Sequence, residues 1–183
     1  MTHSKTTLNG DFGIQLNNIT CDDLADPDFQ SKAYELWASH GGLLVVRGKD
    51  LSELSPEALV AWSNVFGAVE KENLAAREDK MVKGFPILRI GNIKDETGKR
   101  LASFAKSVQL ESDDDVQYNP ETRKPVWHTD STFRKFPPIG SVFHCKTAPP
   151  EGSETLFADT RSAYADLDKA SKQKLEPLEA VCS

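Results

Sequence analysis

Two helix-start signals, each followed by a glycine stop, constrain the first half of the chain most strongly. In Asp26-Pro27 a capping side chain precedes a proline at the first helical position, and the helix predicted from there ends at Gly41-Gly42. Residues 43–46 are apolar and predict a short buried strand. Ser55-Pro56 opens a second predicted helix, which Gly67 closes. The first half is therefore predicted to mix helices and strands.

The second half carries a different pattern. Residues 91–125 are polar and predict a long loop, and short apolar segments separated by turn residues follow. Asp159 or Thr160 caps a predicted helix, and a last helical segment begins near Lys169. One strand is predicted just before the polar segment, at residues 86–90. Three more are predicted after it, at residues 126–133, 139–145 and 155–158.

Composition and charge exclude several classes of protein. With 38% hydrophobic and 27% charged residues, the chain is neither disordered nor a coiled coil. A net charge of −6 argues against a nucleic-acid or acidic-lipid partner held by bulk charge. The cysteines, Cys21, Cys145 and Cys182, are too scattered for a disulfide framework or a CxxC metal site. With no apolar run near membrane-spanning length and no secretory signal, we expect a cytoplasmic protein without a membrane partner, and a homo-oligomer is left open.

The segment Trp127-His128-Thr129-Asp130 carries the clearest chemical signal. On a strand, side chains alternate between faces, so His128 and Asp130 would point the same way. An imidazole and a carboxylate side by side form two thirds of a 2-His-1-carboxylate facial triad, which binds Fe(II) and leaves other positions open. A structural His–Asp hydrogen bond at a strand end would give the same spacing, and spacing alone favours that simpler explanation.

The sequence around this pair resembles a known family. Residues 127–133, WHTDSTF, and the following Pro137-Pro138 resemble the iron-binding segment of the taurine dioxygenase and 2,4-dichlorophenoxyacetate dioxygenase (TauD/TfdA) family. Residues 149–164 are similar to the family's next signature, P-x-x-G-G-D-T followed by A-Y, although Ser153-Glu154 stands where Gly-Asp is usual. The resemblance runs from about residue 10 to the end, and two signatures at the expected separation are more specific than His-x-Asp alone.

The resemblance implies an α+β fold. Its core would be a double-stranded β-helix (a cupin-like jelly roll) with flanking helices, incomplete at the C-terminus. Residues 1–9 are expected to be a disordered tail, and residues 10–183 the N-terminal portion of a single dioxygenase domain. A barrel without its later strands leaves inner faces uncovered, so we expect Val142, Phe143 and Leu156 to be exposed.

The resemblance also implies Fe(II) and 2-oxoglutarate. His128 and Asp130 match the family's first two metal ligands, and Thr155 matches the threonine whose hydroxyl bonds the distal carboxylate of 2-oxoglutarate. The implied reaction hydroxylates a small, anionic organic substrate with O2 and releases succinate and CO2, and it needs no further acid–base side chain. Asn92 stands where the herbicide-degrading branch also has asparagine, which makes it the candidate substrate contact beside its simpler interpretation as a surface residue.

The family's remaining site residues do not match any position here. The family has a second histidine ligand and an arginine that pairs with 2-oxoglutarate, both well beyond the threonine signature, whereas no histidine follows His144 and the last arginine is Arg161. The resemblance therefore predicts that the chain carries roughly the first two thirds of an enzyme domain and is inactive alone. A catalytically inactive remnant, or a jelly-roll binding module without metal, are the alternatives.

Overall fold

The computed structural model describes residues 3–70, 81–91, 97, 127–132, 134–148, 150–151 and 155–179. Within these ranges the chain forms a small mixed sheet with helices packed around it. The elements in order are β1 (Ser4–Asn9), β2 (Phe12–Asn17), α1 (Cys21–Ala25), α2 (Pro27–Ser39), β3 (Leu44–Val46), a 3-10 turn (Leu51–Glu53), α3 (Pro56–Asn64), α4 (Thr160–Ala165) and α5 (Lys169–Leu175). None of the helices in the described residues has the length and apolarity needed to cross a bilayer.

The sheet has the order β1-β2-β3, with β2 in the centre. β1 pairs antiparallel with β2, and β3 pairs parallel with β2, placing Ile14 beside Leu44 and Leu16 beside Val46. Because side chains alternate along a strand, Ile14 and Leu16 both point to the face covered by helices and are buried there. The parallel connection contains α1 and α2, as such a crossover usually contains a helix.

The predicted disordered tail of residues 1–9 is wrong for Ser4–Asn9, which form β1. Every side chain of this strand is exposed, so the segment has no hydrophobic pattern to reveal it. Its order comes from backbone pairing with β2, for example Lys5 opposite Leu16 and Thr7 opposite Ile14. The pairing is a tertiary contact that a polar sequence does not show.

The two helices predicted in the first half are confirmed. Asp26 accepts a hydrogen bond from the Asp28 N–H at 2.9 Å, and Pro27 occupies the first turn of α2. Ser55 accepts from the Ala58 N–H at 3.2 Å at the start of α3. Each cap satisfies a backbone donor that the helix itself leaves unpaired. The strand predicted for residues 43–46 is confirmed as β3 over Leu44–Val46, although its side chains are partly rather than fully buried.

The core lies between the sheet and the first three helices. Trp62 closes one side of it, stacking with Phe29 and meeting Phe66 edge-on at 5.2 Å between ring centroids. Among the described residues, every buried hydrophobic side chain lies at or before Met81. The core cluster consists of Ile14, Leu16, Ile19, Leu24, Ala33, Leu36, Leu54, Leu59 and Trp62.

The strands predicted in the second half are not formed in the residues described. The described parts of 126–133, 139–145 and 155–158 are irregular, and residues 86–90 contribute only an isolated bridge from Leu88 to Met81. Strands need a partner edge, and no paired neighbour is present for these segments in the described residues. The helices predicted there are confirmed as α4 and α5. The double-stranded β-helix stays a prediction.

The predicted exposure of apolar side chains in the second half is confirmed. Phe143 is 65% exposed, Leu156 61% and Val142 40%. We call these three residues, together with Trp127, Phe136, Ile139 and Phe157, the exposed apolar set, because all seven are large hydrophobic residues facing solvent. Where exposed apolar side chains form a contiguous patch, the patch commonly marks a site of association or an aggregation liability.

Gly48 marks a close approach of two backbone segments. The Ile19 N–H donates to the Arg47 carbonyl at 3.1 Å, and a Cβ added at Gly48 would overlap the carbonyl oxygen of Ile19.

Gly48→Ala is therefore expected to destabilise the fold by about 3 kcal/mol, in the range of overpacking substitutions. Thermal unfolding followed by circular dichroism should show a lower Tm. Gly140→Ala is the control, since the nearest atom to its Cβ is 3.9 Å away; equal Tm values for the two variants would contradict the assignment.

The exposed apolar set should make the 183-residue protein associate in solution. We expect strong binding of 1-anilinonaphthalene-8-sulfonate and a concentration-dependent sedimentation coefficient. Phe143→Ser with Leu156→Ser should lower both while leaving the far-UV circular dichroism unchanged. Leu8→Ser, at an exposed position of β1, is the matched control and should change neither. A monomer that binds no dye would show that this surface is covered in solution.

Candidate metal site

The side chains of His128 and Asp130 lie side by side. His128 Nε2 is 3.3 Å from Asp130 Oδ1, and the two side chains are 64% and 76% exposed. Residues 127–129 are irregular rather than a strand, and a turn begins at Asp130. The predicted strand is therefore not what brings the two groups together.

The turn after Asp130 has an unusual backbone. Ser131 has φ of 62°, in the left-handed region that disfavours residues with a side chain. The Arg134 N–H donates to the Ser131 carbonyl at 3.0 Å and closes the turn. Among the described residues, Asn18 is the other non-glycine position with positive φ, and asparagine tolerates this conformation better than serine. Strained positions of this kind concentrate at functional sites.

The separation of the two donor atoms suits a shared divalent ion. Bonds from imidazole nitrogen and carboxylate oxygen to such an ion are about 2.1 Å, so two donors at right angles on one ion lie roughly 3.0 Å apart. The observed 3.3 Å needs only a small adjustment of the side chains. Within the described residues, no cluster of three or more His, Cys, Asp or Glu could hold a metal ion. The pair would therefore supply two ligands, and exposure leaves room for others.

Contact alone does not distinguish a ligand pair from a hydrogen-bonded pair. His3 Nε2 lies 3.1 Å from Asp23 Oδ1 in the first half, with a geometry close to that of His128 and Asp130. Asp23 is also engaged by Thr20, whose hydroxyl lies 2.6 Å away and holds the pKa of that carboxyl below its usual value. The position of Asp23 is therefore explained by the capping of α1, and the two His–Asp pairs differ in the sequence around them.

Comparisons with known proteins identify the family of the chain. The family model described as Taurine catabolism dioxygenase TauD, TfdA family matches residues 4–183. The chain belongs to the TauD/TfdA family. His128 and Asp130 lie within the matched residues, in the segment that resembles the family's iron-binding signature, whereas His3 precedes the matched region and Asp23 lies outside both segments that resemble signatures.

Curated TauD/TfdA relatives match the chain along most of its length. It is 28% identical over 176 residues to the (S)-phenoxypropionate/alpha-ketoglutarate-dioxygenase of Sphingobium herbicidovorans, covering 94% of this chain and 50% of the relative. The enzyme of the same name from Delftia acidovorans is 28% identical over 91% of this chain and 50% of its own. The alpha-ketoglutarate-dependent sulfonate dioxygenase of Saccharomyces cerevisiae is 24% identical, over 93% of this chain and 37% of its own. The chain thus spans half or less of the length of these relatives, and no solved structure matches it.

The other two predicted site residues, Thr155 of the second signature and the candidate substrate contact Asn92, are placed less fully. Thr155 is exposed at the start of the irregular segment that leads into α4. Asn92 lies outside the described residues. The roles of Thr155 and Asn92 stay predictions.

Asp159 and Arg161 form an ion pair, of which the sequence indicates only the capping role of Asp159. Asp159 was predicted as a helix cap, and it accepts from the Arg161 N–H at 3.0 Å. The Arg161 guanidinium also donates to both carboxylate oxygens of Asp159, at 3.2 and 3.3 Å, and a Cβ on Gly41 would lie 2.7 Å from its Nη2. A cavity of about 500 Å³ opens beside them, toward the β1–β2 turn and the end of α2. Nothing in the sequence pattern indicates that Arg161 lies close to Gly41.

The side-chain hydrogen bond from Arg161, followed by that from Ser162, holds the pKa of Asp159 far below its ordinary value of 3.8. The same hydrogen bond raises the pKa of Arg161. A carboxyl with a lowered folded-state pKa stabilises the fold above its unfolded pKa, and that contribution is lost as the pH falls toward the folded value.

We expect the Asp159 carboxyl to titrate well below pH 3.8 in the folded protein, because it accepts charge-assisted hydrogen bonds. Carboxyl 13C chemical shifts measured against pH would follow it. Arg161→Gln should move the midpoint back toward 3.8, and Lys169→Gln, at another exposed cation, is the control. A wild-type midpoint near 3.8 would contradict the interaction.

Proposed function

We propose that His128 and Asp130 are two of the protein ligands to Fe(II) in a 2-oxoglutarate-dependent dioxygenase. The reaction would hydroxylate a small anionic organic substrate with O2 and release succinate and CO2. The observation that carries this proposal is the 3.3 Å separation of His128 Nε2 and Asp130 Oδ1, in the segment that resembles the family's iron-binding signature.

The chemistry of the two donors supports the proposal. A neutral imidazole and a carboxylate, together with open positions, form the ligand type found with non-haem Fe(II). When bound, Fe(II) would supply the redox chemistry between O2, 2-oxoglutarate and the substrate. The role of the side chains is to hold the ion and to leave positions free for small ligands. No further acid–base side chain is required.

Thr155 is the proposed contact for 2-oxoglutarate. Its hydroxyl would donate to the distal carboxylate, a hydrogen bond to a charged acceptor but from a neutral donor. Its exposed position ahead of α4 supports access by a small molecule. In the complete domain we propose the double-stranded β-helix, in which the irregular segments after residue 127 would gain paired neighbours.

The proposed substrate class rests on the relatives. Their names include phenoxypropionate, sulfonate and sulfate ester, which are all anionic. An anionic substrate needs a polar or cationic contact, and Asn92 is the residue we propose for it. The cytoplasmic location inferred from the sequence stays a prediction.

Metal binding by the 183-residue protein tests the ligand assignment. Anaerobic titration with Fe(II), and with Co(II) as a spectroscopic substitute, should show weak binding that His128→Ala or Asp130→Ala reduces at least about tenfold, since each removes one of two ligands. His3→Ala is the matched control, because it breaks a similar His–Asp contact outside the signatures. Equal affinity in wild type and His128→Ala would favour a binding module without metal.

Turnover gives the second arm of the same test. The 183 residues alone should release no more succinate from 2-oxoglutarate than the His128→Ala variant. Without a cationic partner the distal carboxylate loses a charged hydrogen bond, typically about 1.5–3 kcal/mol or roughly ten- to a hundredfold in affinity. A chimera carrying the remaining part of the Sphingobium relative should be active, and His128→Ala should abolish that activity. An inactive chimera that binds metal normally would favour the catalytically inactive remnant.

A further inference from the structure

An ion pair joins the segment of the candidate metal site to the first half of the chain. Arg134 Nη1 contacts Glu70 Oε1 across 64 residues of sequence. The two side chains are 27% and 41% exposed, and are thus more shielded from solvent than His128 and Asp130. Glu70 follows α3, which belongs to the buried core.

The position of Arg134 links this ion pair to the candidate ligands. Its backbone N–H closes the turn after Asp130 by bonding the Ser131 carbonyl at 3.0 Å. Its side chain holds the same turn against Glu70. One residue therefore takes part both in closing the turn and in an ion pair with the folded first half.

A second contact attaches the same half of the chain at a different place. His144 Nε2 lies 2.6 Å from the carbonyl oxygen of Leu51, in the 3-10 turn of the first half. This contact holds the segment around residue 144 and not the turn after Asp130. The two contacts can therefore be removed separately, and their effects compared.

We infer that the Glu70–Arg134 ion pair is a positioning device that orients the His128–Asp130 pair for metal binding. The inference rests on the proposed function for its metal-binding part. Two physical effects act in the same direction. The ion pair restricts the orientation of an otherwise exposed turn. Arg134 lies four residues from Asp130, and its positive charge would disfavour a divalent cation nearby. Glu70 offsets that charge.

The test compares Glu70→Gln with Glu35→Gln in the full chain. Glu35 forms an exposed ion pair with Lys32 on α2, at 2.8 Å, so its substitution removes a surface ion pair without touching the turn. In the metal-free protein, hydrogen exchange in peptides covering residues 127–136 should become faster in Glu70→Gln and remain unchanged in Glu35→Gln. His144→Ala should accelerate exchange around residue 144 more than in that segment.

Co(II) titration supplies the functional readout. Glu70→Gln should weaken Co(II) binding about two- to fivefold, the range expected for one partly exposed ion pair. Glu70→Arg should weaken it further, and adding Arg134→Glu should restore slow exchange in residues 127–136. Glu35→Gln should bind Co(II) like the wild type, and the Tm of both single variants should stay close to that of the wild type.

The outcomes separate this inference from the proposed function. Unchanged exchange in residues 127–136 of Glu70→Gln would overturn the inference whatever the metal affinity. Faster exchange with unchanged Co(II) affinity would also overturn it, because the ion pair would then hold the turn without serving the ligands. Equal Co(II) binding by wild type and His128→Ala would instead refute the ligand assignment, and the exchange data would still decide whether Glu70 holds the turn.

Discussion

The pairing of β2 with both of its neighbours is the constraint on which the described structure depends. β2 pairs with β1 along one edge and with β3 along the other. Its buried side chains belong to the core, and the side chains between them are only partly buried. Backbone hydrogen bonds continue this pairing beyond the end of β3, where the Arg47 N–H donates to the Leu16 carbonyl oxygen at 2.8 Å. The helices α1 to α3 bury their apolar sides against the resulting surface, and burial of such side chains is the main stabilising contribution in a domain of this kind.

Polar contacts help to attach the second half to this core, and none of its described side chains is buried. They include Arg134 with Glu70 and His144 with the Leu51 carbonyl. Each is directional and individually weak compared with a buried apolar side chain. The candidate metal site therefore lies in the part of the molecule where local turn geometry, rather than packing, sets the positions of side chains.

Whether a feature could be predicted from the sequence depends on how far apart in the chain the interacting residues are. The caps of α2 and α3 act within a few residues, so Asp26-Pro27 and Ser55-Pro56 located both helices correctly. The nearness of His128 and Asp130 is also local, although the predicted strand was wrong and a turn occurs instead. β1 was missed because its order comes from a partner strand, and the contact of Arg134 with Glu70 spans 64 residues without a local pattern. The family was recognisable because its signatures are contiguous in sequence.

Among the described residues, all buried hydrophobic side chains lie at or before Met81, and this affects where substitutions can disturb the fold. Most substitutions that lower stability severely do so by disturbing a packed core. The segment that carries His128, Asp130 and Thr155 has no buried side chain among its described residues, so changes around these positions have little packing to disturb. In the 183-residue chain, substitutions around these positions should therefore leave the folding of the first half unchanged, whereas substitutions in the core cluster should not.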